Sequence, residues 1–189
     1  PNLGRDAQGQ ERIKPAAAGD VGTTDIQFML TGSIKEAGLL VLLNQHIQRR
    51  WGESPLGETF NVRTAPHDPE ALLALVKQRI PAEQMPVLVG VGDTVTSTAS
   101  ADGTSWLRGG RDRGFLNLLQ DLGAWCGQTN RVVLVDSSHG EVDRPSHADG
   151  SLQGITDSED PLRIDALMPD GPEQYTAWFQ QLSERRRVG

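Results

Sequence analysis

Two short apolar runs constrain the fold of this chain more than any other feature: residues 87–91 (VLVGV) and 132–135 (VVLV). Both are continuous rather than alternating, the pattern of strands covered on both faces in a parallel sheet. Between them, residues 114–125 carry Phe115, Leu118, Leu119 and Leu122 at helical spacing. Strand, helix and strand in that order predict a parallel pair joined by a crossover helix. The alternation continues on either side. Residues 26–30 (IQFML) read as a strand ending at Thr31-Gly32-Ser33. Ser33 and Glu36 then stand three apart, as a capping box requires, before Leu39, Leu40, Leu42, Leu43 and Ile47 and a stop at Gly52. Residues 59–64 (TFNVRT) alternate like a strand, with Phe60 and Val62 on one face, and Asp68-Pro69 opens a second helix. Residues 163–168 form a further strand and 173–187 a last helix. The fold expected is α/β, a Rossmann-like parallel sheet with flanking helices. The polar, glycine-bearing residues 1–24 form an irregular arm, and 25–189 are the α/β core portion.

In such sheets ligands sit beyond the carboxyl ends of the strands, which directs attention to 31–35, 92–96 and 136–139. At the first sheet end, Asp93 follows Gly92 and precedes three hydroxyl residues within Thr94–Ser97. A carboxylate held rigidly at a strand end suits a hard cation such as Mg²⁺, although Asp-Thr is also an ordinary turn. Asp112 lies just before a helix in RGGRDRG, where it serves as a second acid or as a cap. Asp102 is its rival, but Asp102-Gly103 is first of all a turn signal. The arginines Arg108, Arg111 and Arg113 can bind phosphate in bidentate fashion or balance nearby acids. Lys35 begins a helix after a glycine-serine turn, a place that already favours anions. Of the four histidines, none pairs at zinc-ligand spacing; His139 alone follows a buried strand.

The acid excess, 25 Asp+Glu against 18 Lys+Arg, argues against a nucleic-acid partner. The single cysteine, Cys126, excludes an internal disulfide and suits a reducing compartment. With no apolar run near membrane-spanning length and no secretory leader pattern, a cytoplasmic location without membrane association is expected. No Walker loop and no G-x-S-x-G elbow are present, which sets aside nucleotide hydrolysis and serine-hydrolase chemistry.

Three segments, FMLTGSIKEAG (28–38), VGVGDTVTS (89–97) and RGGRDRGFL (108–116), resemble the haloacid dehalogenase-like phosphohydrolases. More narrowly they resemble the glucosylglycerol-3-phosphate phosphatases, with weaker support from Asp160-Pro161-Leu162 and Gln174-Tyr175. The resemblance implies a Mg²⁺-dependent phosphatase that acts on a sugar-glycerol phosphate, in compatible-solute synthesis under salt stress. It implies Asp93 and Asp112 as metal ligands and Lys35 as the lysine that orients nucleophile and phosphate. Thr31, Ser33, Thr94 and Arg111 would contact the substrate. Two departures accompany it. The family's Asp-x-Asp nucleophile motif is absent, since no Asp here has another Asp two positions later, so the chain resembles the C-terminal part of such an enzyme. The Lys35–Asp93 separation also exceeds the family pattern, which makes Lys77 a rival lysine. The competing expectation is a non-catalytic α/β ligand-binding or regulatory domain derived from such a phosphatase.

Overall fold

The computed structural model describes residues 34–140 and 144–187. The expected arm 1–24, the strand at 26–30 and the turn with Thr31 and Ser33 lie outside the described residues. The chain order is α1 (Lys35–Trp51), α2 (Pro69–Arg79), a single 3-10 turn, then β1 (Val89–Gly92), β2 (Thr96–Ala99) and β3 (Trp106–Gly109). After these come α3 (Arg113–Cys126), β4 (Arg131–Val135), β5 (Ala166–Met168) and α4 (Pro172–Arg187). β1, β4 and β5 form a parallel sheet in the order β1-β4-β5, with Gly90 opposite Val132 and Leu134 opposite Leu167. The α/β architecture read from the sequence is therefore the observed one.

The apolar spacing of α3 places it at the centre. Leu118 and Leu122 pack with Ala37, Leu40, Leu43 and Ile47 of α1 and with Leu72 and Val76 of α2. Leu116 and Leu119 of the same helix instead cover Val132 and Leu134, together with Ile155 and Leu162. The opposite sheet face buries Val133, Val135 and Met168 beneath Val91 and Tyr175. Glycine is required where α3 crosses β1. A Cβ on Gly90 would stand 2.8 Å from Leu116 and 2.9 Å from Leu119. Burying apolar side chains of this size contributes roughly 1.5–3 kcal/mol each, which is what fixes α3 against two layers at once.

The structure departs from the sequence reading at four places. Residues 59–64 form turns rather than a strand. Asn61 is the cause: its Oδ1 accepts the Arg63 N–H, its carbonyl accepts Thr64 and Ala65 N–H, and Thr64 Oγ1 accepts its N–H. Such local side-chain bonds outcompete a ladder, and Phe60 and Val62 pack on the helical core anyway. Among the described residues the run at 87–91 is covered by α3 on one face, while Val89 on the other is 53% exposed, and β1 stands at an edge of the sheet. Among the described residues a groove of about 910 Å³ lies between β1 and α1, lined by leucines and valines together with Lys35, His46 and Arg49. Ile34, without a side-chain bond, occupies the N-cap of α1, the position the capping box gave to Ser33. Finally, the stretch from Gly92 to α3 is not merely a glycine-rich connection. It holds the antiparallel hairpin β2–β3, closed by a turn in which Asp102 accepts bonds from Ser100 and Thr104.

The strand expected at 163–168 is confined to Ala166–Met168, while α3, β4 and α4 match within one residue at each end. Asp68 caps α2 through the Ala71 N–H, with Pro69 at its first turn. Gly52 and Gly127 close α1 and α3 in the left-handed conformation. No helix among the described residues is long and apolar enough to cross a membrane.

Candidate active site

The carboxyl ends of β1 and β4 and the start of α1 converge on one edge of the sheet. Asp93 leaves β1 directly after Gly92, at the place where a parallel sheet presents its ligands. Asp112 approaches from the other side, at the N-cap of α3. Its side chain makes no bond to its own helix. Instead Oδ2 accepts the backbone N–H groups of Asp93 (2.8 Å) and Thr94 (2.9 Å). Its other oxygen, Oδ1, pairs with Lys35 Nζ from the first turn of α1. The Asp112 side chain is only 1% exposed, so this carboxylate is an internal bracket tying α1, the β1 loop and α3 together. Glycine again makes room: Gly110 has φ +104° and its Cα lies against the backbone of Thr94 and Val95.

Asp93 differs in kind. Its side chain is 44% exposed. Thr94 Oγ1 donates to its Oδ1 at 2.7 Å, and Arg144 Nη1 donates to its Oδ2 at 2.7 Å. Ser137, after β4, donates to the Asp93 carbonyl at 3.0 Å. Partial burial acts to raise the Asp93 carboxyl, but the bonds with Thr94 and Asp112 and the Arg144 charge outweigh it and hold the group below its ordinary range. It is an ionised, reachable carboxylate.

Behind it, Asp136 ends β4 wholly buried and accepts the N–H groups of Ser138 (2.7 Å) and His147 (2.7 Å) and the Ser146 hydroxyl (3.1 Å). That anchors the chain carrying Arg144 to the sheet. Burial alone raises the Asp136 carboxyl; the bonds from Ser138, His147 and Ser146 outweigh it and carry it far below the usual range.

Of the residues singled out in the sequence, Lys35, Asp93, Asp112 and Thr94 come together at this edge. Arg111 is exposed in the loop just before α3, with no hydrogen bond or ion pair among the described residues. Lys77 is exposed on α2 and makes no ion pair among them, while Lys35 is the lysine on Asp112. Arg108 and Arg113 are occupied elsewhere. Arg108 grips Asp157 through Nε (2.9 Å) and Nη2 (2.8 Å). Arg113 bonds Asp160 and the carbonyls of Gly109, Thr96 and Ile155. Asp102 lies at the exposed hairpin tip and His139 is exposed after β4. Thr31 and Ser33 lie outside the described residues.

Sequence reasoning passed over Ser137 and Arg144. Ser137 had a signal, its place directly behind a buried strand. Arg144 had none, being 51 residues from the acid it binds.

No group of three or more His, Cys, Asp or Glu side chains gathers among the described residues to cage a metal. The edge offers one open carboxylate, Asp93, with the hydroxyls of Thr94 and Ser137 beside it. That donor set is all oxygen and fits a hard cation such as Mg²⁺, which keeps several waters and shares its shell with substrate phosphate.

The chain is 49% identical over 199 residues to the glucosylglycerol-phosphate phosphatase of Synechocystis sp.; the match covers all of this chain and 47% of that relative. No solved structure matches. The family model described as glucosylglycerol-phosphate phosphatase matches residues 1–183, and the chain belongs to that family.

Proposed function

We propose that the protein containing this chain is a Mg²⁺-dependent phosphatase that hydrolyses glucosylglycerol 3-phosphate to glucosylglycerol and inorganic phosphate. Its product would serve as a compatible solute in salt tolerance, in the cytoplasm. The observation that carries the reading is the Lys35–Asp112–Asp93 cluster at the carboxyl edge of β1, in a chain of this family.

Asp93 and the substrate phosphate would hold the cation between them. The cation, when bound, offsets charge on the phosphoryl oxygens. Asp112, with both oxygens engaged among the described residues, acts through its neighbours: it fixes the backbone of Asp93 and Thr94 and holds Lys35 in place. Lys35 then presents a positive charge to the phosphoryl group or to an attacking carboxylate. Arg111, exposed and without a partner among the described residues, is available to a second phosphate oxygen or to the sugar; Thr94, Thr31 and Ser33 supply hydroxyls. These 189 residues hold no Asp-x-Asp. With the relative about twice as long as this chain, we propose that the nucleophile comes from a segment outside them. The missing motif also favours a second reading, in which these residues by themselves bind the phosphate ester without cleaving it.

The test is phosphate release from glucosylglycerol 3-phosphate by the complete natural protein. Asp93→Asn is expected to lower kcat on the order of 100-fold or more while the melting temperature stays within a few degrees. Wild-type turnover in that variant would defeat the assignment.

A further inference from the structure

We propose that Arg144 is a phosphate-binding residue which occupies the cation's place on Asp93 until cation and phosphate arrive together. The inference rests on the reading of Asp93 as a cation ligand given above.

The guanidinium uses a single nitrogen. Nη1 donates to Asp93 Oδ2 at 2.7 Å and to Ser137 Oγ at 2.6 Å, while Nη2 and Nε have no hydrogen-bond partner among the described residues. An arginine carries five donors in a planar fork. Arg113 engages Nε, Nη1 and Nη2, and Arg108 engages Nε and Nη2 on one carboxylate. Arg144 therefore differs from both in bonding through Nη1 alone, with the rest of its fork open at the sheet edge.

Its partner cannot serve two cations at once. Oδ1 of Asp93 accepts the neutral Thr94 hydroxyl and Oδ2 accepts Arg144 Nη1, so an ion that takes Oδ2 meets the guanidinium there. A divalent ion and a guanidinium on that one oxygen would repel each other at close range. An ion held by Asp93 would release Arg144, and the freed fork would stay at the sheet edge, available to the oxygens of a phosphate. Bidentate recognition of phosphate is what such a fork does best. Leaving Asp93 does not unmoor the chain, because Ser146 and His147 remain bonded to the buried carboxylate of Asp136. Cation and phosphate then favour each other's binding, reciprocally, through the exchange of one side chain.

The experiment uses the complete natural protein, with Mn²⁺ as a spectroscopically visible ion and inorganic phosphate as the anion. Mn²⁺ affinity is read by electron paramagnetic resonance with phosphate absent, and phosphate affinity by calorimetry at saturating Mn²⁺. Arg144→Gln is expected to tighten Mn²⁺ alone about 5-fold and to weaken phosphate on the order of 10-fold, the loss of a charged hydrogen-bond donor. Arg144→Lys keeps the charge without the fork, so Mn²⁺ affinity should stay near wild type while phosphate still weakens. Melting temperatures establish that both variants fold. If Arg144→Gln leaves either affinity at the wild-type value, or weakens Mn²⁺, the exchange is overturned and Arg144 is a structural pin. Asp93→Asn separates the two layers of argument. Loss of Mn²⁺ binding in that variant with no effect of Arg144→Gln sinks this inference alone. Retained Mn²⁺ binding in Asp93→Asn sinks the Asp93 reading and the exchange with it.

Discussion

Two arginine–aspartate regions of the molecule are built from the same residue types and finished differently. In the region joined to the β2–β3 hairpin, Asp157 and Asp160 have side chains 0% and 1% exposed, and each is met by an arginine whose other bonds go to backbone or the same acid. At the sheet edge, Asp93 is 44% exposed and its arginine is half engaged. A closed pair sets its carboxylate out of reach of solvent, and the arginine offsets the desolvation of that charge. An open pair tolerates exchange because water already screens it. The identity of the residues does not separate structure from chemistry here; the exposure of the carboxylate does.

The largest effect should come from breaking a closed pair. Arg113→Met leaves the Asp160 carboxylate buried, with Oδ2 already lacking a partner among the described residues. It also strands the carbonyls of Thr96 and Ile155. An uncompensated buried charge costs about 3–5 kcal/mol, to be read from the urea midpoint of the complete protein. Should Arg113→Met keep wild-type stability and lose only turnover, the distinction between closed and open pairs would fail.

Lys35 tests the intermediate case, a half-exposed lysine on a buried acid. Lys35→Met leaves Asp112 Oδ2 with its two backbone donors, so the loop persists. The kcat of the complete protein should fall about 10- to 100-fold through lost charge and positioning, with a much smaller change in stability than Arg113→Met produces. Lys77→Met, on the exposed face of α2, should change neither. A matching loss from Lys77→Met would return that lysine to contention.

How much of this was legible in the sequence follows from where the determining contacts lie. α2, α3, β4 and α4 declared themselves because period and capping are local: Asp68-Pro69 starts a helix wherever it occurs, and VVLV is apolar without interruption. TFNVRT misled because Asn61 satisfies its own neighbourhood, which period-2 counting ignores. The β2–β3 hairpin was hidden by its four-residue strands and by exposed apolar groups such as Leu107. VLVGV reads as buried on both faces, yet burial depends on which strands lie alongside, and β1 is at an edge of the described sheet. At the site, Lys35, Asp93 and Asp112 each carry a nearby signal, a glycine turn or strand end. Arg144 reaches Asp93 only because Asp136, itself a strand-end acid, folds the chain back, and no spacing rule encodes that.

Asp136 gives the smallest effect and the sharpest check on pH. It is a closed carboxylate serving an open site. The folded protein holds it ionised well below the usual range, so the unfolded chain takes up its proton first as acid is added. Its contribution is therefore complete above the unfolded value near pH 4 and drains away as the pH falls below that. Asp136→Asn replaces an acceptor that bonds two N–H groups and a hydroxyl with an amide able to accept through one oxygen only. The variant should be less stable by about 1–3 kcal/mol at pH 7, and equally so at pH 5. Below about pH 4 the two urea midpoints should converge, because the wild type alone forfeits the ionised form. A gap that stays constant down to pH 2 would mean that shape and not charge fixes the end of β4, and Arg144 would then be held over Asp93 by packing.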